Sequence, residues 1–535
     1  MHIRALHPIT LAATLWLLLA ASAAWAEDAP ADFLAVVDPK GELAVPAFAT
    51  VTAKAEGGDA TAMGILADYY AYARSQAHDP AKALQWYERA ADAGSEYALL
   101  TLAERYLEGD GVPKDPQRAL DYYAEAAALG SAEGADGLGW IHQQGLGVPV
   151  DLAAARTWYL VGVDRGSPLS MLKLGVLYAN GEGVDQDLAR ATALFKRAAE
   201  AGNAEGAYRL SLAYADGVGI APSSTAALAW VRKAAAGGHA EAMLALGMAL
   251  MSGDGVTPNP AEAAKLLSAA SASSPLAQNE LGVLYVDGRG VPKDAQRATR
   301  LFAGAARAGL HHGQYNLGVS YRLGRGIAKN PAKAKHWLAK AAAQDHEDAC
   351  VELAFMLLEG EGGVRDATRA RVLLEKAAKR KDPLALRVLG DLYFDGRGVR
   401  RNGATAMDYY VRAWRLGDVE SGAQVAHMLY TGAGGVGING KVAFDWFRFA
   451  AEAGHPEAQR RLAVLYRSGR VVHRQLDLAY AWFTIAAERG DERAGEARAE
   501  VARELTNEQR LRAEQKLDGL RAKVAATLAR LEALR

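Results

Sequence analysis

The sequence predicts an all-α fold, a right-handed superhelical α-solenoid built from about twelve helix-pair repeats of 36 residues each. In residues 98–130, Leu99, Leu102 and Tyr106 share one helical face at spacings of three and four, which is typical of a half-buried helix. A Gly-x-Gly loop ends this helix, and an Asp-Pro pair begins a second one. Because the unit recurs along most of the chain, each helix pair can bury its apolar stripe against the next pair.

Each predicted second helix begins at a residue whose side chain can cap it. These positions recur at steps of 36 residues, with one step of 35 and one of 37, and Gln475 occupies the last of them. The side-chain oxygen of Asp, Asn or Ser accepts a hydrogen bond from the free amides of the first helical turn. Eleven of the twelve positions carry such a residue: Asp79, Asp115, Asp151, Asp187, Ser223, Asn259, Asp294, Asn330, Asp366, Asn402 and Asn439.

Alanine stands four residues after every cap. The series is Ala83, Ala119, Ala155, Ala191, Ala227, Ala263, Ala298, Ala334, Ala370, Ala406, Ala443 and Ala479. Helix propensity alone would also tolerate Leu, Glu or Lys at this position. The unbroken series therefore indicates a contact with space for one methyl group, and we expect close packing of two helices there.

The full repeat pattern is Ala-x3-Leu-Gly-x2-Tyr, Gly-x-Gly-Val, Asp, Ala and Ala-Ala-x2-Gly. In the fourth unit it is formed by Leu174, Gly175, Tyr178, Gly181, Gly183, Val184, Asp187, Ala191, Ala198, Ala199 and Gly202. It resembles the Sel-one-like repeat (SLR), which is related to the tetratricopeptide repeat, over residues 59–490. The resemblance implies an α-solenoid and a non-enzymatic role, since SLR proteins are mostly scaffolds with unrelated partners.

The first 26 residues have the features of a secretory signal peptide, with cleavage predicted after Ala26. Arg4 precedes an uncharged run, and small residues precede an acidic pair. The alternative is an uncleaved membrane anchor, but the run is short for a membrane span. We therefore expect a periplasmic or secreted protein that meets membranes only through its partners. Residues 27–58 are expected to form a leader and an N-terminal cap helix.

Composition narrows the function further. The formal net charge of the 535 residues is −1, so bulk charge gives no support to a nucleic-acid partner. Cys350 is the only cysteine, and an exported chain of this kind must be stabilised by packing instead of an internal disulfide. The sequence predicts neither a cofactor nor a metal site.

Two motifs match ligand-binding patterns but have structural interpretations. Gly432-x-Gly434-x-x-Gly437 matches a dinucleotide fingerprint as text, yet it aligns with the repeat loops and no predicted strand precedes it. His346 and Cys350 are four residues apart on a helix, as two metal ligands would be. Both positions recur in other repeats, with His and Met, so we interpret Cys350 as a core thiol.

Ser170-x-x-Lys173 matches the nucleophile motif of serine β-lactamases and penicillin-binding proteins. A secreted, cysteine-rich SLR branch that binds β-lactams makes this match worth testing, but the present chain lacks the disulfides of that branch. Ser170 also occupies a slot that other repeats fill with small residues, as at Gly134 and Gly206. The repeat pattern therefore favours a structural role for Ser170, in helix packing, over a catalytic one.

Two tryptophans depart from the repeat pattern. Trp140 lies in the third unit, and Trp414 stands in the tenth unit where alanine is the rule. Each is a candidate partner-binding residue, because large aromatic side chains concentrate binding energy. The alternative is that each fills space left by a glycine or a missing side chain in the core.

Charge is unevenly distributed along the chain. Residues 54–136 contain 15 acidic and 7 basic residues, a net −8, and residues 365–401 contain 11 basic and 5 acidic residues, a net +6. These regions are either separate docking sites or solvated helix faces. The candidate partner-binding residues of the basic segment are Lys379, Arg380, Lys381, Arg400 and Arg401.

Residues 491–535 leave the repeat pattern and form a capping and amphipathic segment. A capping box at Thr506-x-x-Gln509 begins a helix of about 40 Å. We expect part of its apolar seam to project, and to bind the last groove of the array, a second copy of the chain or another envelope protein. The seam comprises Leu517, Leu520, Val524, Leu528, Leu531 and Leu534.

The sequence thus predicts a non-enzymatic scaffold or adaptor of the bacterial cell envelope that holds proteins or peptide segments on its concave surface. The alternative is an envelope protein that binds anionic glycan through residues 365–401. A β-lactam-binding hydrolase with Ser170 as nucleophile is the least favoured hypothesis.

Overall fold

The computed structural model describes residues 45–72 and 78–533. The predicted signal peptide, the leader up to residue 44 and the loop of the first repeat at residues 73–75 lie outside these ranges. Within them the chain forms 27 α-helices, one short 3-10 turn and no strand, which confirms the all-α solenoid. No helix of the described part combines the length and hydropathy that a membrane span requires.

The chain divides into two compact units. The first extends to Ala249 and includes residues 253–257, and the second contains residues 250–252 and continues from Pro258. In the first unit, each helix from α1 to α10 packs against the next one along the chain. The helices that begin in this unit are α1 (Val45–Glu56), α2 (Ala60–Tyr72), α3 (Pro80–Asp92), α4 (Glu96–Glu108), α5 (Pro116–Ala128), α6 (Ala132–Gln144), α7 (Leu152–Asp164), α8 (Pro168–Asn180), α9 (Leu188–Glu200), α10 (Ala204–Asp216), α11 (Ser224–Ala236) and α12 (Ala240–Ser252).

The second unit repeats the same arrangement, and each helix from α13 to α25 packs against its successor. Its helices are α13 (Pro260–Ala270), α14 (Pro275–Asp287), α15 (Ala295–Arg307), α16 (His311–Leu323), α17 (Pro331–Ala343), α18 (Glu347–Glu359), α19 (Ala367–Lys379), α20 (Pro383–Asp395), α21 (Gly403–Arg415), α22 (Val419–Thr431), α23 (Gly440–Glu452), α24 (Pro456–Ser468), α25 (Leu476–Glu488), α26 (Glu492–Glu504) and α27 (Asn507–Glu532). From α2 to α25, the even-numbered helix opens each repeat and is called its A helix, and the following odd-numbered helix is its B helix.

The predicted caps are confirmed. The side chains of all eleven Asp, Asn and Ser residues accept a hydrogen bond from an amide in the first turn of the B helix, and Gln475 makes no such bond. The backbone amide of the cap also donates back to the end of the A helix, as from Asp115 to the carbonyl of Tyr106 at 2.8 Å. The cap residue therefore both starts one helix and fixes the loop to the other.

The Gly-x-Gly loop is required by a close approach between repeats. Gly326, the second glycine of its loop, has φ of +67°, which is costly for any other residue. A side chain there would also overlap the carbonyl oxygen of Ala295, at the beginning of α15 in the preceding repeat. The loop of one repeat thus packs directly on the B helix before it.

Eleven of the twelve alanines that follow the caps are 0–1% exposed, and Ala227 is half-buried. This burial agrees with a close helix contact that admits one methyl group. The adjoining Leu-Gly pair of the A helix has a related function, because a side chain at Gly390 would overlap the ring of Tyr410 in the B helix. Small residues on one helix therefore accommodate large ones on its partner.

The C-terminal helix α27 packs against its own chain. It contacts α25 and α23, and Val524 is buried in the same core cluster as Trp482. Leu517, Leu520 and Leu528 pack against this cluster. The expectation that part of the seam projects is wrong for the described residues, because the helix lies back along the preceding repeats. Leu534 is outside the described range.

Candidate partner-binding surface

One position of the A helix remains at the surface in every repeat. The seventh and eighth residues of each A helix are buried, whereas the ninth is half-buried or exposed in all twelve repeats. Since equivalent positions of stacked repeats follow one another on the same face, the ninth residues within a unit form a continuous line of side chains. We call this line the ninth-position row.

The row of the first unit has an acidic part and an apolar part. It reads, from the first repeat to the sixth, Asp68, Glu104, Trp140, Val176, Leu212 and Met248. Trp140 is 38% exposed, and Leu212 and Met248 are each 45% exposed. Exposed apolar side chains of this size at equivalent positions of several repeats are typical of a surface that binds another molecule.

The row of the second unit is more mixed. It reads Val283, Val319, Phe355, Asp391, His427 and Val464. Val319 and Phe355 pack partly against the core of this unit. Sequence reasoning identified Trp140 as a candidate, but it missed its row neighbours because each of them is an ordinary aliphatic residue in its own repeat. Aligning the twelve repeats and reading the ninth column would have revealed them.

The acidic end of the first row is built around Asp68. Its carboxylate accepts hydrogen bonds from the hydroxyls of Tyr87 and Tyr97, and Tyr97 Oη lies 2.9 Å from Oδ1. Burial raises the pKa of Asp68 above its ordinary value. Burial, together with the nearby Glu108, likewise raises the pKa of Glu104. This end therefore presents carboxyl groups whose ionised form would be favoured by a cationic partner.

Trp414 lies elsewhere, at a junction with the C-terminal helix. It packs on Gly422, where any side chain would overlap its ring, and its ring centroid is 5.8 Å from that of Trp446. Leu531 and Phe449 line the same half-buried groove. Trp414 therefore fills the space left by Gly422, which was the alternative to a partner-binding role for this residue.

The structure does not bring the basic candidates together. Lys379, Arg380 and Lys381 precede helix α20, whereas Arg400 and Arg401 follow it. Because α20 has 13 residues, the two groups are separated by about 20 Å. The five residues thus form two small clusters at opposite ends of a helix, and neither has the charge of the whole segment.

Ion pairing reduces the net charge of the basic segment further. Arg380 Nη1 lies 3.0 Å from Glu347 Oε1, and two other cations of the segment pair with carboxylates outside it. Lys379, Lys381 and Arg400 are exposed and form no ion pair within the described part of the chain. The net +6 of residues 365–401 therefore overstates the positive charge that this surface offers to a glycan.

Ser170 belongs to a buried polar junction between repeats. It is fully buried and donates a hydrogen bond to Oδ1 of Asp136, while Ser167 Oγ donates to Oδ2 at 2.7 Å. Gly162 provides the space, because a side chain there would overlap the Ser170 hydroxyl. Burial lowers the pKa of Lys173. The Ser170 hydroxyl is thus engaged in packing and is not presented to a β-lactam.

The remaining two motifs lie in structural positions. Cys350 is buried, its Sγ is 3.9 Å from the carbonyl oxygen of Ala342, and burial raises the pKa of its thiol. Gly432 ends helix α22, and Gly434 lies in the short 3-10 turn that follows. No strand precedes this loop in the described chain, so it is a repeat loop and not a dinucleotide site.

Comparison with known families agrees with this architecture. The family model described as Sel1 repeat matches residues 60–95, 97–131, 132–167, 168–203, 204–239, 240–274, 275–310, 311–346, 347–382, 383–418, 422–455 and 456–491. The chain belongs to the Sel1 repeat family. The resemblance to SLR proteins is therefore confirmed. Proteins built from Sel1 repeats generally act as scaffolds for protein interactions.

Solved structures include related Sel1 repeat proteins. The chain is similar to c5321, a protective antigen of uropathogenic Escherichia coli strains with an SLR fold, at 31% identity and a TM-score of 0.73. That match covers 84% of this chain and 97% of c5321. A Sel1 repeat protein from Oxalobacter formigenes is 30% identical, with a TM-score of 0.44, over 58% of this chain and 92% of its own. No curated protein matches the chain in a sequence comparison.

Proposed function

We propose that this Sel1 repeat protein is a non-enzymatic interaction scaffold of the bacterial cell envelope. The features of residues 1–26 support export, with the mature chain beginning at Glu27. In this proposal, the ninth-position row of the first unit binds a segment of a partner protein. We also propose that this binding takes place on the concave surface, as expected from the sequence.

The observation that carries the proposal is the exposed apolar part of this row. Trp140, Leu212 and Met248 place large apolar side chains at equivalent surface positions of repeats in one unit. Burying such side chains in a partner contributes about 25 cal/mol per Å² of apolar surface. Tryptophan is enriched among the residues that dominate binding energy, so Trp140 is the expected anchor.

Charge complementarity specifies the partner segment. Asp68 and Glu104 continue the row on one side of Trp140, within a region whose net charge is −8. The segment should therefore carry apolar residues followed by Lys or Arg, so that the cations face the two carboxyl groups. A basic partner would also favour the ionised form of Asp68, whose pKa burial raises.

This assignment is tested by selecting peptides from a displayed library of random sequences of about 16 residues against the mature protein. Selection is informative because a peptide-binding surface favours peptides whose apolar side chains and charges match its own. We expect selected peptides to combine apolar residues with a basic cluster, and their binding to weaken with salt. Trp140→Ala should reduce binding by about tenfold or more. Leu212→Ser tests the row, and Leu129→Ser is its control, because Leu129 is 59% exposed and lies outside the row.

Selected peptides that bind equally well to the Trp140→Ala and Leu212→Ser variants would place the site elsewhere. Export is tested separately by sequencing the N-terminus of the protein recovered from the periplasm or medium. A start at Glu27 is the expected result. Retention of residues 1–26 would contradict the envelope assignment without bearing on the row.

A further inference from the structure

Three histidines converge where the eighth and ninth repeats meet. His311 and His312 are the first two residues of α16, and His346 is the cap of α18, the next A helix. One ring nitrogen from each residue lies within 4.8 Å of the others. The ring centroids of His311 and His312 are 4.0 Å apart, and that of His346 is 5.3 Å and 5.2 Å from them.

Two other repeats show how unusual this arrangement is within the chain. His239 and His455 also cap A helices, and the Nε2 atom of each hydrogen-bonds a glutamate of the preceding A helix, Glu205 and Glu420. His312 occupies the equivalent position before His346. An imidazole therefore replaces the carboxylate that serves the other two cap histidines.

This replacement changes the chemistry of the group. A carboxylate stabilises a protonated histidine, whereas neighbouring imidazoles disfavour one another's protonation. Burial and the adjacent His312 lower the pKa of His311. Burial also lowers the pKa of His346, together with both neighbouring imidazoles and against the opposing charges of Asp348 and Glu347. His311 and His346 are thus biased toward the neutral form, which is the form of imidazole that binds metal ions.

The cluster also contains an unsatisfied nitrogen. Nδ1 of His311 is buried and has no hydrogen-bond partner in the described chain. Nδ1 of His346 accepts a hydrogen bond from the backbone amide of Ala349 at 3.3 Å, which is the longest of the three histidine cap bonds. The other ring nitrogen, Nε2, is then the one that can face the cluster. The ring of Tyr315 stacks on His346 at 4.6 Å and fixes its orientation. His312 is exposed and gives an ion access from solvent.

We propose that His311, His312 and His346 bind one divalent transition-metal ion, with Zn²⁺ as the most suitable probe. Three neutral imidazoles match the ligand preference of zinc, copper and nickel. A tetrahedral zinc ion would keep its fourth position for water or a ligand from a partner. Coordination through Nε2 of His346 moves the proton of this imidazole to Nδ1. The cap bond to Ala349 is therefore lost on metal binding.

Calorimetric titration of the full chain without an affinity tag tests this site. A pH of about 7.5 is suitable because it lies above the ordinary pKa of an imidazole. We expect one Zn²⁺ per chain, no comparable binding of Mg²⁺, and an increased melting temperature, because the ion joins two repeats. Co²⁺ should give the visible absorption of a four-coordinate site. His312→Ala should weaken Zn²⁺ binding at least about tenfold, as loss of a ligand requires.

His239→Ala and His455→Ala are the matched controls, because they remove cap histidines that face a glutamate. Both controls should bind Zn²⁺ like the wild type. His312 is exposed, so its loss leaves the fold intact, and circular dichroism of the metal-free variant verifies this. Absence of stoichiometric Zn²⁺ binding, or binding by His312→Ala and His311→Ala that is as tight as that of the wild type, would overturn the proposal.

Discussion

Lys523 in the C-terminal helix pairs with Glu452, 71 residues earlier in the chain, and Nζ lies 2.7 Å from Oε1. Lys516 pairs with Asp477 at the same distance. The two lysines are exposed to solvent, which screens the pairs, so each pair contributes about 1 kcal/mol or less. The apolar seam beneath them, centred on Val524, must therefore supply most of the energy that holds this helix against α25 and α23.

Replacing Val524 with serine tests the seam. Val524 is 3% exposed, so Val524→Ser should lower the free energy of unfolding by about 2 kcal/mol, through lost apolar burial and a buried hydroxyl. Leu511 lies on the same helix and is 57% exposed, and Leu511→Ser should change stability by no more than about 0.5 kcal/mol. Urea titration followed by circular dichroism measures both. Equal effects would show that the seam does not stabilise the fold.

Removal of residues 517–535 distinguishes self-docking from a dimer. Because the described seam is buried against its own chain, we expect a monomer before deletion and a less stable, aggregation-prone protein after it. Light scattering coupled to size exclusion reports the mass. A mass of two chains that halves on deletion, with unchanged stability, would instead support a dimer through the seam.

The alanine series predicts a graded response to the same substitution. Ala191 is 1% exposed, and Ala191→Leu should lower the free energy of unfolding by about 1 to 3 kcal/mol because the added atoms overpack a helix contact. Ala227 occupies the same slot in the next repeat but is half-buried. Ala227→Leu should therefore have a smaller effect in the same denaturation experiment. An unchanged transition in Ala191→Leu would refute the packing interpretation.

Asp391 should make stability depend on pH. The Tyr410 hydroxyl donates to its Oδ1 at 2.7 Å, and burial raises the pKa of Asp391. A carboxyl group whose pKa is raised on folding stabilises the fold most when protonated, and this contribution falls as pH rises through the folded pKa. Asp391→Asn keeps an acceptor for Tyr410 but carries no charge.

The wild type should therefore lose stability relative to Asp391→Asn as the pH rises from about 4, near the ordinary pKa of Asp, toward neutrality. In other words, the free energy of unfolding of the variant minus that of the wild type should increase with pH. Urea titrations at several pH values measure this difference. Asp408→Asn is a control, because Asp408 is more than half exposed. A difference between Asp391→Asn and wild type that stays constant with pH would contradict the assignment.

Lys381 offers a stabilising substitution. Its φ is +68°, at the turn between B and A helices where most repeats have glycine, as at Gly417. A non-glycine residue in this conformation is strained, so Lys381→Gly should raise the free energy of unfolding by about 0.5 to 1 kcal/mol. Thermal denaturation measures the gain. Lys379→Gly, within helix α19, is the control and should destabilise. A lower melting temperature in Lys381→Gly would show that no strain is present.

The sequence by itself determined the repeat unit. Cap residues, glycine loops and alanines act through the first turn of a helix, through φ or through the volume of one side chain, and each recurs at the repeat period. The positions of Asp115 and Ala119, for example, have the same surroundings in nearly every repeat, so one structural interpretation applies to all copies. For the same reason the sequence specified the family and a scaffold role, but no partner.

Tertiary structure alone decided which exceptional residues meet. His346 and His312 are 34 residues apart, Trp414 packs on Gly422, and the seam of α27 folds back on α23 and α25. The sequence placed each of these residues in its repeat. A periodic pattern specifies which positions are equivalent, but it does not specify which of the residues that deviate from the pattern contact each other. The ninth-position row arises in the same way, because a row of exposed side chains forms only when successive repeats place equivalent positions on one face.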